Sequence, residues 1–233
     1  AQREAAWAEV ARRLAHEVKN PLTPIQLAAE RLHYKLSGEL SGEQAALLER
    51  ATSTIGSQVE ALRRLVDAFG DYAKPKPPRM APMRIKDAIL EVVDLYASGD
   101  QAIAFDVDLD PSLSTQPIVA DAGRLSQVLL NLVRNAQEAH PTGHPTIRIE
   151  LSSSDRLDGS VCWQISDNGP GFSDEVLARA FEPYVTTKPG GTGLGLAIVK
   201  RIVEEHGGEI ELANDQTGSL GGAVVRIWLP QPA

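Results

Sequence analysis

The sequence predicts an α+β protein in two parts: a long helical hairpin, then a mixed sheet covered by helices on one face. Three observations predict it. Apolar residues recur at alternating spacings of three and four through the first seventy residues. The stretch "KPKPPRMAP", Lys74 to Pro82, ends that pattern, because its four prolines forbid helix and favour an extended chain. Beyond it, runs of period two alternate with runs of helical period. The boundaries that follow are 1–74 for the hairpin, 75–82 for a proline-rich linker and 83–233 for the sheet domain.

The first helix is drawn by Trp7, Ala11, Leu14, Val18, Pro21, Ile25, Ala28 and Leu32. "SGELSG" breaks it. Ser41 followed by Gln44 reads as a capping box opening a second helix. The second seam is Leu48, Ala51, Ile55, Gln58, Leu62, Leu65 and Phe69. At ~1.5 Å per residue over some thirty residues, the hairpin is about 50 Å long. Two helices with one apolar stripe each cannot cover both stripes alone, so a homodimer forming a four-helix bundle is expected. The alternative is a hairpin docked on its own second domain.

In the second part, "IKDAILEVVDLYAS" reads as helix and "AIAFDVDLD" as strand. "AGRLSQVLLNLVRNAQEAH" is a strongly amphipathic helix, and "TIRIELSS" and "SVCWQISD" are strands. "GLGLAIVKRIVEEHGG" is a helix stopped by glycines, and "EIELAND" and "AVVRIWLP" close the sheet.

Composition narrows the function. Apolar residues make up 42% of the 233, ample for a core, but aromatics are only 5%, so aliphatic side chains must fill it. The net charge of −8 argues against a nucleic-acid binder, which needs a basic face. Residues 1–74 carry ten basic and ten acidic side chains, so the whole −8 falls beyond them. An anionic ligand there would need local donors and a metal. Cys162 is the single cysteine, which excludes an internal disulfide and fits a reducing, cytoplasmic setting. No apolar run reaches ~18 residues, so no membrane contact is expected of this stretch. The chain opens directly in helical pattern, which reads as the cytoplasmic part of a longer sensor, with room for a membrane anchor outside it.

Three stretches of the second part carry chemistry. In "NLVRNA", Asn131 and Asn135 stand four apart on one face of an otherwise apolar helix. An amide carbonyl can ligate Mg²⁺ without adding charge; alone, the pair is as well read as ordinary rim amides. "DNGPGF", Asp167 to Phe172, ends a strand. Asp167 can accept from an amino group, and Gly169 and Gly171 let something flat approach the backbone; alone, it is also an ordinary turn. "GGTGLGLAIVK", Gly190 to Lys200, opens glycines into a helix N-terminus, an anion site. It matches neither the Walker nor the dinucleotide pattern. Between the last two, "FEPYVTTKPGG" reads as a lid, with Thr187, Lys188 and Thr192 as candidate phosphate contacts. Each has a bland reading, but their joint order describes an adenine acceptor, a metal seat and a triphosphate cradle.

In that order the chain resembles the bacterial sensor histidine kinases of two-component systems, over about residues 8 to 230. "HEVKNPL" resembles the H box, "NLVRNA" the N box, "DNGPG" the G1 box, "FEPY" the F box and "GGTGLGL" the G2 box. "ARRLAHEVKNPLTPIQLAAERL" is similar to the nitrogen-regulation kinases of the NtrY type. The resemblance implies a dimerisation and histidine-phosphotransfer hairpin, followed by a Bergerat-type α/β sandwich that binds ATP. It implies that His16 is phosphorylated, that Glu17 assists, and that Asn20 serves in dephosphorylating a response-regulator receiver domain. Asn135 would hold Mg²⁺ with Asn131 in support, and Asp167 would contact the adenine amino group. Gly169, Gly171, Gly193, Leu194 and Gly195 would shape the pocket and cradle. Ala223 departs from the pattern, standing where many members carry threonine.

The residues suit those roles. Histidine's ordinary pKa of ~6.5 leaves a neutral, nucleophilic ring nitrogen near neutral pH. On the heptad count His16 lies between Leu14 and Val18, facing outward. Asn20 is one turn on, and can orient a water. Pro21 and Pro24 remove the N–H groups that would bond the Glu17 and Asn20 carbonyls, so the helix is expected to bend over Glu17–Thr23. His33, His140, His144 and His206 match no metal spacing and are expected to play no part. The competing readings are a nucleotide-sensing docking module or phosphatase without kinase activity, and an ATPase of the gyrase or MutL sort. The histidine hairpin argues against the latter.

Overall fold

The computed structural model describes residues 2–73, 77–97, 103–140, 143–186, 188, 191–215 and 220–231. The chain divides into two compact units, 1–76 and 77–233.

In the first unit, α1 (Gln2–Leu36) and α2 (Glu43–Ala73) form an antiparallel hairpin. Cross-links between Arg63 Nη2 and Thr23 Oγ1 (3.3 Å), and between Thr52 Oγ1 and His33 Nδ1 (3.4 Å), set its register. Helix α1 runs without interruption past Pro21 and Pro24. Helix α2 begins at Glu43, one residue later than a box starting at Ser41 requires. Gly42, at φ +62°, takes the capping place, and its carbonyl accepts from the Ala46 N–H.

The apolar pattern has the predicted period but a second stripe. Among the described side chains of the hairpin the buried ones are Leu22, Ala29, Val59 and Val66, each one position after a member of the predicted seam. The predicted seam is left to solvent: Val18 is 41% exposed, Ile25 46%, Leu32 51%, Ile55 38% and Leu62 46%. The expectations for Trp7, Ala11, Leu14, Leu65, Phe69 and the outward side chain of His16 fall outside the described residues.

The second unit begins before the predicted boundary at 83. Strand β1 (Ala81–Met83) pairs antiparallel with β3 (Ile118–Ala120), so Ala81 and Pro82 belong to a sheet, not to the linker. Proline is tolerated there because only one side of β1 is paired. The main sheet has the order β2-β4-β5-β7-β6: β2 (Ala104–Leu109), β4 (Thr146–Ser154), β5 (Ser160–Asp167), β7 (Ala223–Pro230) and β6 (Glu209–Asn214). Strands β2 and β4 are parallel; the other pairs are antiparallel. Helices α3 (Ile85–Ala97), α5 (Ala122–Ala139) and α7 (Gly195–Glu205) pack side by side. Short helices α4 (Pro111–Thr115) and α6 (Asp174–Arg179) and a 3-10 turn at Arg156–Asp158 lie between these elements.

Strand alternation makes the two sheet faces unlike. Ile147, Ile149, Leu151, Val161, Trp163, Ile165, Val225, Ile227 and Leu229 are buried with Leu125, Leu129, Val199 and Ile202 of the helices. Their strand neighbours form a polar ladder: Glu150 accepts from Gln164, Gln164 from Arg226, and Arg226 reaches Glu211, which Arg156 of the β4–β5 connection also reaches. Among the described residues no helix is long and apolar enough to cross a membrane.

Candidate functional site

The predicted site residues of the second unit converge from three elements. Helix α5 is started by Asp121, whose Oδ1 accepts from the Arg124 N–H at 3.2 Å, and its apolar face fixes which way it rolls. Asn131 and Asn135 sit at its half-buried rim. The Asn131 Nδ2 is buried with no hydrogen-bond partner. The Asn135 amide lies beside the first residue of α7: a Cβ built on Gly195 would stand 3.6 Å from Oδ1 and 3.8 Å from Nδ2.

Helix α7 carries no side-chain cap. Its first internal bond runs from the Ile198 N–H to the Leu194 carbonyl, so the N–H groups of Gly195, Leu196 and Ala197 have no partner within the helix. Thr192 Oγ1 accepts from the Leu194 N–H at 3.3 Å, and Leu194 itself is fully buried. The segment before α7 is pinched at its base. The Tyr184 N–H bonds the Gly193 carbonyl at 2.9 Å, and any Cβ at Gly193 would meet the Tyr184 carbonyl carbon at 2.5 Å. From this segment Lys188 Nζ reaches helix α5, donating to the Asn135 carbonyl at 2.8 Å, with Glu138 Oε2 at 3.6 Å. Thr187 lies outside the described residues.

The turn after β5 presents Asp167. Its Oδ1 accepts from the N–H groups of Gly169 (2.8 Å) and Ala223 (3.2 Å). Small residues are compulsory around it. A Cβ at Gly222 would collide with the Asp167 carbonyl and stand 2.5 Å from its Oδ1, and one at Gly169 would meet Oδ1 at 2.8 Å. Asn168 Oδ1 accepts from the Thr146 N–H at 2.8 Å, tying the turn to the start of β4. Where a threonine was expected, Ala223 serves Asp167 with its backbone.

Three contributors escape sequence reasoning. His140, expected to be idle, caps α5; its ring nitrogen bonds the Ala136 carbonyl at 2.9 Å. Its Cε1 and Asp167 Oδ1 both lie within 3.0 Å of the same point, the Cβ position on Gly169. Asn214 bonds the Phe172 backbone twice. His206 accepts the Asp121 N–H at 3.0 Å on Nε2 and donates from Nδ1 to the Ile202 carbonyl at 2.7 Å, joining the end of α7 to the start of α5. Gly171, whose missing Cβ makes room for the Asn214 amide, was a local signal for one of them.

The donor set fits a magnesium nucleotide. An amide oxygen is a hard ligand, suited to Mg²⁺, which takes one or two protein oxygens and completes its shell with phosphates and water. Among the described residues no group of three or more His, Cys, Asp and Glu offers a self-sufficient metal cage. The orphaned Asn131 Nδ2 and the uncapped amides of α7 are donors, suited to anionic oxygen. In the first unit His16 lies within α1, and Glu17 and Asn20 are exposed on the same helix.

Comparison with known proteins gives two family matches. Residues 6–78 match the His Kinase A (phospho-acceptor) domain. Residues 120–233 match the histidine kinase-, DNA gyrase B-, and HSP90-like ATPase. The chain is 41% identical to the nitrogen regulation protein NtrY of Azorhizobium caulinodans, over 98% of this chain and 29% of that protein. It is 35% identical to the sensory histidine kinase/phosphatase NtrB of Rhodobacter capsulatus, over 95% of this chain and 61% of that one. Among solved structures, full-length ShkA in complex with AMPPNP superimposes with a TM-score of 0.71 at 28% identity, over 97% of this chain and 46% of that one. The chain thus spans less than a third of the length of the NtrY relative. With phospho-acceptor and ATPase domains in sequence and the N, G1 and G2 stretches folded together, the chain belongs to the NtrY-like sensor histidine kinases of two-component systems.

Proposed function

We propose that this chain is an ATP-dependent protein-histidine kinase that phosphorylates His16 and passes the phosphoryl group to an aspartate of a response-regulator receiver domain. The observation that carries it is the convergence of Asn135 on Gly195 at the uncapped start of α7. Those groups suit the phosphates, and Asp167, fixed through one oxygen, suits the adenine amino group.

Asn131 and Asn135, the amides of α7, Thr192 and Lys188 bind and orient the triphosphate. Mg²⁺, held by Asn135 Oδ1 and the phosphates, would neutralise charge on the oxygens. A ring nitrogen of His16 attacks the γ-phosphorus; the N–P bond forms as the bond to the β-phosphate oxygen breaks, releasing ADP. Glu17 takes the proton from the other ring nitrogen. The carboxylate of the partner then attacks the same phosphorus, and the N–P bond breaks. Asn20, exposed one turn from His16, orients water for hydrolysis of the phosphorylated partner, a phosphatase role in keeping with the name of the NtrB relative.

The exposed stripe of Val18, Ile25, Leu32, Ile55 and Leu62 supports a homodimer in which two hairpins make a four-helix bundle. The proline-rich stretch around the junction of the two units, ahead of β1, acts as the linker.

The test is incubation with γ-labelled ATP and Mg²⁺. Label should appear on the chain, withstand base, leave in acid and be absent from His16→Gln. Base-labile label, or nucleotide binding with no label, would favour a nucleotide-sensing module instead.

A further inference from the structure

We infer that Asn214, the last residue of β6, is a positioning residue for the nucleotide site, holding the 167–172 turn in the shape that presents Asp167. The inference rests on the reading of that turn as the wall of a nucleotide pocket.

The Asn214 amide makes both bonds that a neighbouring strand would make. Nδ2 donates to the Phe172 carbonyl at 2.8 Å, and Oδ1 accepts from the Phe172 N–H at 2.7 Å. The turn is held as though it were paired to one more residue of sheet. Gly171 makes room for this. It has φ +74°, and a Cβ there would stand 2.6 Å from Asn214 Oδ1 and 3.0 Å from Cγ.

Asn214 is itself held by the β6–β7 hairpin. Its cross-strand partner is Ala223. The next residue, Asp215, donates its N–H to the Gly222 carbonyl at 2.8 Å, and its Oδ2 accepts from Leu220 (2.8 Å) and Gly221 (3.1 Å). The Ala223 N–H holds Asp167 Oδ1. One cross-strand pair therefore grips both ends of the turn, Ala223 at 167 and Asn214 at 172. An asparagine that merely finished its own strand would bond locally; both bonds here cross 42 residues.

Asn214→Ala removes both bonds. The Kd for ADP with Mg²⁺ should rise on the order of tenfold, while the labelling rate of His16 at saturating ATP changes by less than about twofold. Gly171→Ala drives a methyl into the same amide and should weaken binding similarly. With Asn214 already truncated the clash is gone and only the strain of a methyl at φ +74° remains, so the two substitutions combine less than additively. Urea unfolding fixes the folded fraction of each variant, so the Kd from isothermal titration is compared after correction for reversible unfolding, and a variant that is only less stable returns an unaltered corrected Kd. An unaltered Kd in Asn214→Ala, or strict additivity of the pair, would overturn the inference. Failure of the unaltered chain to bind ADP would instead remove the nucleotide reading beneath it.

Discussion

Asp167 has one carboxylate oxygen taken by two backbone N–H groups, from Gly169 and Ala223, so the adenine contact proposed for it falls to Oδ2. Charge-assisted bonds of this kind are worth ~1.5–3 kcal/mol. Asp167→Asn should therefore weaken ATP binding by roughly ten- to a hundredfold, with a smaller loss for nucleotides lacking the amino group; competition titration with ATP and ITP measures both. Asp167, Asn135 and Gly195 could be proposed from the sequence, because an acceptor-only carboxylate, a neutral amide and the lack of any side chain are each read from residue type. His140 and Asn214 could not. The approach of the His140 ring to Gly169 and the bonds of Asn214 to Phe172 exist only in the folded chain.

Helical period is visible in a sequence, but its phase is not. The first unit shows this: among the described side chains the buried Leu22, Ala29, Val59 and Val66 each stand one position beyond the predicted seam, because Ala28, Ala51 and Gln58 mark no face strongly. The seam that was read is the one a second hairpin would cover. Leu62→Glu in the hairpin should convert a dimer to monomer in sedimentation velocity while leaving ADP affinity within about twofold, since the catalytic unit folds around its own core. Pro21 and Pro24 sit inside a continuous α1, each at a cost of ~3 kcal/mol to an isolated helix. Pro21→Ala should raise thermal stability and shift the ratio of kinase to phosphatase rates, read with labelled ATP and a phosphorylated receiver; equal rates before and after would sink the functional role of the proline. Strands β1 and β3 and helices α4 and α6 were not read from the sequence. At three to six residues each, they are too short to show a period, and pairing or a single cap decides them.

At the scale of the whole catalytic unit, one chain of bonds connects its N-terminal entry to helices α5 and α7. The Arg79 N–H bonds Asp121 Oδ2 at 2.7 Å, Asp121 caps α5, and its own N–H bonds His206 at the end of α7. Burial pushes the Asp121 carboxyl up, but the Arg79 and Arg124 N–H groups, the Arg124 charge and the Gly123 N–H outweigh it and hold it below the ordinary carboxylate value. A lowered native pKa means the contribution is full above the unfolded value, ~3.9, and is lost as acid titrates the native carboxylate. Urea unfolding from pH 7 to pH 3 should show a fall in stability below about pH 4 that is shallower in Asp121→Asn.

That anchor also fixes where this unit can be cut and rejoined. Residues from Arg79 onward are committed to the cap of α5 and to the register of β1 with β3. An extra residue inserted after Arg79 must break one or the other, whereas one inserted before Pro77 touches neither. A chimera carrying this ATPase unit behind a foreign signalling module should keep native nucleotide affinity when spliced upstream of Pro77, and lose it when spliced at Met83.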